Sequence, residues 1–332
     1  MSTIAVIGAG SWGTAFALHL ARLGHSVRLW ARDPALATDM ARRRANAVYL
    51  PDLILPDGVT AVGRLGEALS NASFVVCTVP SHGVRVVFRA AAPRLATNAV
   101  LVSGTKGLET GSLLRVSEVI RDEVGAAHAV VVLSGPSFAA EVARGLPAAV
   151  CVASDDSAAV ERVQAEFRGP GLRLYASTDV VGVEIGGALK NVIAIAAGVV
   201  EGLGLGANAM AALITRGLVE ISRLACALGG RRETLAGLSG LGDLVLTCTG
   251  ELSRNHHVGV ELGKGRPLTD ILAEMKMVAE GVNTTVAAVE LGVRHGVELP
   301  IASQMADVLA GRKPARLAVE ELMARPQRNE ME

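Results

Sequence analysis

Short apolar runs alternate with longer amphipathic segments through the first half of the chain. IAVIG (4–8), HSVRLW (25–30), SFVVCTV (73–79), AVLVSG (99–104), AVVVLSG (129–135) and PAAVCVAS (147–154) predict strands. Most are apolar throughout rather than at every second position, as in strands covered on both faces. Helical spacing lies between most of them. One helix is predicted from about Trp12 to Leu23, where Gly24 ends it; another starts at DPALATDMARRR, with Asp33 as N-cap and Pro34 at the first helical position. Strands alternating with helices predict an α/β fold around a mostly parallel sheet. Near residue 178 the pattern changes. Alanine- and leucine-rich segments with helical spacing follow, such as AMAALITRGLVEISRLACALG (209–229) and NTTVAAVELGVRHG (283–296). Two domains are therefore expected: an α/β domain over 1–178 and an all-α domain over 179–332. The closing ARPQRNEME predicts a frayed polar tail.

Composition narrows the classes of function. Lys+Arg and Asp+Glu balance at 32 each, and aromatics are 3% of the 332 residues, so no nucleic-acid partner is expected. The apolar run after Asn191 is interrupted by Glu201, and the uncharged run over 202–215 is rich in glycine. Neither reaches the roughly 20 residues of a membrane span, so no membrane insertion is expected. The start, MSTIAVIGAG, lacks the basic and apolar regions of a signal peptide. Cys77, Cys151, Cys226 and Cys248 are scattered and predict reduced thiols in a cytoplasmic protein. His256 and His257 are adjacent and lack the spaced partners of a zinc site, so no metal is expected.

Several motifs carry chemistry. GAGSWG places Gly8, Gly10 and Gly13 between a predicted strand and a predicted helix. In that setting the first glycine permits a tight turn, the second a close approach to a pyrophosphate, and the third helix–strand packing. The phosphates would meet a helix N-terminus. Where an NAD site usually carries an acid, this chain reads Trp30-Ala31-Arg32-Asp33. Arg32 could take the 2′-phosphate of NADP while Asp33 caps the next helix; an ordinary surface arginine is the alternative. VSGTKGLETG (102–111) sets Lys106 just past a predicted strand, and LSGPSFAAEV (133–142) presents Gly135, Ser137 and Ala139 in the same kind of position. A solvated loop lysine and a simple capped turn are the alternatives.

GLSGLGDLVLTCTGELSRNHHVG (237–259) gathers Asp243, Thr247, Ser253, Arg254 and Asn255. Arg254 offers a fork for phosphate, and Thr247 and Asn255 can bond hydroxyls; a polar loop with a surface salt bridge explains them equally. Finally, Lys190 and Asn191 interrupt GVEIGGALKNVIAIAAGVV (182–200). An ammonium among apolar residues needs a partner, water or a task. Gly186 and Gly187, one turn away, would let a small molecule approach it. The alternative is a lysine snorkelling to water.

GAGSWGTA, SGTKGLE, GPSFAAEV, GGALKNVIAIAAG, GLGDLVLTCTG…SRN and VAEGVNTT, in this order, resemble the NAD(P)-dependent sn-glycerol 3-phosphate dehydrogenases of bacterial type, from about Ile4 to Leu309. The resemblance implies a Rossmann-type N-terminal domain, an all-helical substrate domain, NADP(H) or NAD(H) as cofactor, and interconversion of glycerol 3-phosphate and dihydroxyacetone phosphate, feeding phospholipid synthesis. It implies Lys190 as acid/base, with Lys106, Gly135, Ser137, Asp243, Thr247, Ser253, Arg254 and Asn255 around the substrate. It implies dinucleotide contacts from Gly8, Gly10, Ser11, Trp12, Gly13, Arg32, Lys106, Ala139, Arg254, Val278 and Glu280. Burial and the second cation, Lys106, would push the Lys190 pKa toward neutrality. Asp243 would either orient Lys190 or bind a substrate hydroxyl. A homodimer through the helical domain is expected. A 3-hydroxyacid or 6-phosphogluconate-type dehydrogenase is the second reading; a sensor that binds NADPH without turnover is the third, and such a sensor has no need of an acid/base.

Overall fold

The computed structural model describes residues 1–275, 277–327 and 329. Among the described residues eight strands form one sheet: β1 (Thr3–Ile7), β2 (Ser26–Trp30), β3 (Val59–Val62), β4 (Phe74–Cys77), β5 (Val100–Ser103), β6 (Val130–Ser134), β7 (Ala148–Ala153) and β8 (Leu172–Ser177), in the order β8-β7-β6-β5-β4-β1-β2-β3. All neighbours pair parallel except β6 and β7. The strand order reverses beside β1, which opens a crevice at the carboxyl ends of β1 and β4.

Alternate residues of β1 enter opposite layers. Ile4 and Val6 pack with Phe16 and Phe74, while Ala5 and Ile7 pack with Val75 and Phe88. A side chain of this size contributes about 1.5–3 kcal/mol when fully buried, so both faces must be covered. The covering helices include α1 (Ser11–Arg22), α2 (Pro34–Arg43), α3 (Val84–Ala91), α4 (Val116–Val124) and α5 (Ala139–Arg144). Asp33 caps α2 as expected, accepting from the Ala35 N–H at 2.9 Å. β3 and β8 were not anticipated from sequence, nor was the reversed direction of β7 and β8.

From Asp179 onward the described chain is helical: α6 (Val180–Gly202), α7 (Gly206–Ala227), α8 (Asp243–Thr249), α9 (Arg254–Gly263) and α10 (Glu280–Arg294) are its main elements. The sequence expectation of two short apolar runs needs correction here. α6 is one helix of 23 residues, long and apolar enough to cross a membrane, yet almost entirely buried within the protein. It is the axis of the second core, which includes Ile193, Ile195, Leu224 and Met305. α9 lies unusually close to it. A Cβ on Gly198 would sit 2.0 Å from the His256 carbonyl oxygen, and one on Gly259 would sit 1.9 Å from that of Ile195. This contact brings the start of α9 against the middle of α6. Helix Ala315–Met323 ends just before the expected polar tail, of which residues 328 and 330–332 lie outside the described residues.

Candidate active site

The glycine-rich turn leaves β1 at Gly8, whose φ of +115° suits glycine. A Cβ on Gly13 would lie 1.9 Å from the Gly8 carbonyl oxygen, so α1 can pack this tightly only without one. A Cβ on Gly10 would meet nothing within 4 Å, and the N-terminus of α1 has no side-chain cap. Bare N–H groups at an uncapped helix end, in the crevice beside β1, fit the pyrophosphate of a dinucleotide. Ser11 Oγ lies 2.9 Å from the Tyr49 carbonyl oxygen and 3.1 Å from Met277 Sδ, which brings the segment carrying the exposed Val278 beside this turn. Trp12 packs on Phe16 with ring centroids 5.4 Å apart. Arg32 is exposed past β2 and has no hydrogen bond or ion pair with the described residues, whereas Asp33 is committed to its cap. Ala139 opens α5. Glu280 opens α10 and accepts from the Ser81 amide at 3.2 Å and hydroxyl at 2.7 Å. Burial raises its pKa, and the Ser81 bonds oppose that.

Lys190 does not snorkel. It is 6% exposed, and its ammonium donates to Asp243 Oδ1 at 2.6 Å and to Thr247 Oγ1 at 2.7 Å. The Thr247 hydroxyl donates in turn to the Asp243 carbonyl oxygen at 2.6 Å, one helical turn back. Asp243, 1% exposed at the start of α8, is no surface salt-bridge partner. Its second oxygen accepts from Lys106 at 2.5 Å. Lys106 also reaches the Gly135 carbonyl oxygen at 3.3 Å, which accepts the Ser137 hydroxyl at 2.9 Å as well. One carboxylate therefore joins two ammonium groups from different parts of the chain. Burial is the largest influence on Lys190 and lowers its pKa to about 7; the Asp243 charge opposes this and the Lys106 charge adds to it.

Asn255 is fixed at both ends of its amide. It donates to Asn191 Oδ1 at 3.0 Å and accepts from the Gly281 N–H at 2.9 Å, linking α6, α9 and α10. Ser253 caps α9, accepting from the His256 N–H at 3.2 Å, and has no hydrogen bond to the lysines. Arg254 has an exposed surface and makes no hydrogen bond with the described residues; partial desolvation of its guanidinium by the surrounding protein lowers its pKa, and the Glu280 charge opposes this.

Gly186 and Gly187 correct a sequence expectation. A Cβ on Gly186 would meet the Ser239 carbonyl oxygen at 2.6 Å, and one on Gly187 would meet Ser134 Oγ at 2.6 Å and Lys106 Cγ at 3.8 Å. The glycines admit other parts of the protein, including the Lys106 stem, rather than a ligand. Sequence reasoning also missed Ser81 and Ser134. Ser81 follows the carboxyl end of β4 as Lys106 follows that of β5, and that shared position is its signal in the sequence. The buried Ser134 hydroxyl has no hydrogen-bond partner among the described residues.

The family model described as the N-terminus of NAD-dependent glycerol-3-phosphate dehydrogenase matches residues 3–160, and that described as its C-terminus matches residues 179–320. A Koribacter versatilis protein named glycerol-3-phosphate dehydrogenase, NAD(P)+, is 53% identical over 335 residues, covering 100% of this chain and 99% of its own. One of the same name from Geobacter sp. strain M21 is 51% identical, covering 97% of each chain. The crystal structure of glycerol-3-phosphate dehydrogenase from Coxiella burnetii superposes with a TM-score of 0.94 at 40% identity, covering 98% of this chain and 99% of that one. Agreement of this extent, in sequence and in fold, makes the chain a member of the NAD-dependent glycerol-3-phosphate dehydrogenase family.

Proposed function

We propose that the protein interconverts dihydroxyacetone phosphate and sn-glycerol 3-phosphate with NADP(H) or NAD(H), and that Lys190 is its acid/base. The observation that carries this reading is the Lys190 ammonium itself. Two of its N–H bonds are held by Asp243 and Thr247, and among the described residues nothing takes the third. A buried ammonium with one uncommitted donor is suited to a substrate oxygen.

Gly8, Gly10 and Gly13, at the uncapped start of α1, would hold a dinucleotide, which when bound would supply the hydride chemistry at the substrate C2. Lys190 donates its proton to the C2 oxygen during reduction and is left neutral; in oxidation the neutral amine accepts the hydroxyl proton. Burial stabilises the neutral amine relative to the ammonium, so the proton can move in either direction near pH 7. Asp243 fixes the direction in which the amine points, which leaves its charge shared with Lys106 rather than free for a substrate hydroxyl. Arg254, exposed and without a hydrogen bond to the described residues, takes the substrate phosphate in this reading, and Asn255 holds the start of α9 against α6 next to Lys190. Arg32 takes the 2′-phosphate of NADPH.

The reading extends to the cell. Reduction would supply glycerol phosphate for phospholipid synthesis in the cytoplasm, a compartment that four unpaired cysteines suit. It includes a homodimer through the helical domain. Val282, Val286, Val289 and Val293 lie on one face of α10, and Val286 and Val293 are 56% and 78% exposed, which supports an apolar contact there. Light scattering on the purified protein tests it. The reaction is tested by following NADPH oxidation on adding dihydroxyacetone phosphate, against NADP reduction on adding 6-phosphogluconate. Turnover with the first pair alone is expected; turnover with the second alone would overturn the assignment.

A further inference from the structure

The loop that carries Lys106 is tied down just beyond it in the chain. Glu109, three residues on, receives Arg85 through two nearly parallel bonds, Nε to Oε1 at 2.9 Å and Nη2 to Oε2 at 2.8 Å. Arg85 comes from α3 and donates through Nη1 to Glu123 of α4 at 2.9 Å, with Asp122 at 3.3 Å. The Arg85, Glu109 and Glu123 side chains are 26%, 14% and 10% exposed, so solvent screens the group less than an ordinary surface pair. Ser112 closes it by donating to Glu109 at 2.5 Å. The near end of the loop is held separately: the Gly104 N–H bonds the Cys77 carbonyl oxygen at 2.9 Å, and the Thr105 hydroxyl bonds that of Val79 at 2.8 Å. Lys106 and Gly107 therefore span two fixed points. Gly107 is pressed against Ser81 and Glu280, where a Cβ would meet Ser81 Oγ at 3.1 Å and Glu280 Oε2 at 3.2 Å.

We propose that the Arg85–Glu109 pair is a positioning device for Lys106, holding the far end of its loop so that the ammonium meets Asp243. Among the described residues Lys190 bonds Asp243 and Thr247 and neither Arg85 nor Glu109, so the pair acts through Lys106. The proposal rests on the roles given above to Lys106 and Lys190. It also explains the residue types, because a two-pronged guanidinium–carboxylate contact fixes orientation where a lysine would fix only distance.

The consequence falls on Lys190. The charged groups around its amine are Asp243 from α8 and Lys106 from the loop, with the Cys248 thiol also coupled to it. If Lys106 recedes, a neighbouring positive charge is lost and Asp243 is left to Lys190 alone, and both changes favour the ammonium. Glu109→Gln keeps the size of the side chain and removes its charge. The experiment measures kcat/KM for glycerol phosphate oxidation against pH in the parent, Glu109→Gln, Arg85→Lys and Arg89→Ala. Arg89 joins the same network only through Glu123 and is 66% exposed. Glu109→Gln should lose about ten- to a hundredfold in kcat/KM through misplacement of Lys106, and its midpoint should rise by about half a pH unit or more. Arg85→Lys should shift in the same direction, and Arg89→Ala should match the parent. A lowered melting temperature with the parental midpoint in both Glu109→Gln and Arg85→Lys would make the pair merely structural and overturn the proposal. Should Glu109→Gln fail to fold, Arg85→Lys decides alone by the same criterion. Failure of the underlying reading looks different, because the parent itself would then lack a midpoint near neutrality.

Discussion

A lysine that has lost most of its proton affinity should show itself in the pH dependence of the two reaction directions. Lys190 falls from 10.5 to about 7, chiefly because it is buried. At pH 8 such an amine is about 90% neutral, against about 0.3% for an ordinary lysine, a difference of about 300-fold in available base. The sign follows from the chemistry. Oxidation of glycerol phosphate needs the neutral amine, so its kcat/KM should rise with pH through about 7 and then level. Reduction of dihydroxyacetone phosphate needs the ammonium, so its kcat/KM should fall through the same region. Both substrates carry a phosphate that titrates near pH 6. That ionisation acts in the same sense in both directions, whereas the lysine acts in opposite senses, so the pair of profiles separates them. The assay is the absorbance of reduced nicotinamide between about pH 5.5 and 10, since kcat/KM reports groups of the free enzyme. Two profiles of the same sign, or an oxidation limb rising only near pH 10, would refute the argument that burial of Lys190 tunes the reaction.

Three further outcomes are expected. Arg32→Ala should raise the NADPH Michaelis constant at least about tenfold, since a charge-assisted contact contributes about 1.5–3 kcal/mol, and should leave NADH nearly unchanged; equal losses would refute the 2′-phosphate contact. Arg254→Ala should reduce efficiency with dihydroxyacetone phosphate far more than with unphosphorylated dihydroxyacetone, because a remote phosphate contact orients the reacting carbon; equal losses would remove the phosphate role. Gly259→Ala should lower stability by about 1–3 kcal/mol through overpacking, although alanine is the better helix former, because the new methyl group has the Ile195 carbonyl oxygen at 1.9 Å; an unchanged denaturation midpoint would show that α6 and α9 can separate freely.

Much of the fold was legible because its signals are local. β4, β5 and β6 are buried at every position, and such runs stand out as uninterrupted apolar stretches. β8 was missed for the converse reason. Only Leu172 and Leu174 face inward, while Arg173 lies over the Tyr175 ring 5.2 Å away on the open side. β3 has four residues at the sheet edge and too little pattern to find. The glycine-rich turn was legible through the strand and helix on either side of it. The lysine site was visible as separate motifs, but its assembly was not. Asp243 lies 53 residues from Lys190 and 137 from Lys106, and Glu280 lies 199 from Ser81. No local periodicity encodes such distances. The space beside Gly186 and Gly187 was misjudged for the same reason, because what fills it comes from Ser239, Ser134 and Lys106.

Lys190→Met separates proton transfer by Lys190 from a purely structural role. Methionine keeps most of the stem and its apolar contacts but cannot transfer a proton. Gly186 and Gly187 are covered by protein, so amines added to the buffer are not expected to take its place. The measurement is the turnover of dihydroxyacetone phosphate by the variant, alongside its thermal melt and an NADPH titration. If Lys190 carries the proton, the variant folds, binds NADPH with near-parental affinity and loses about 10²–10⁴-fold in turnover. A folded, NADPH-binding variant with turnover within a few-fold of the parent would show that Lys190 is not the proton carrier.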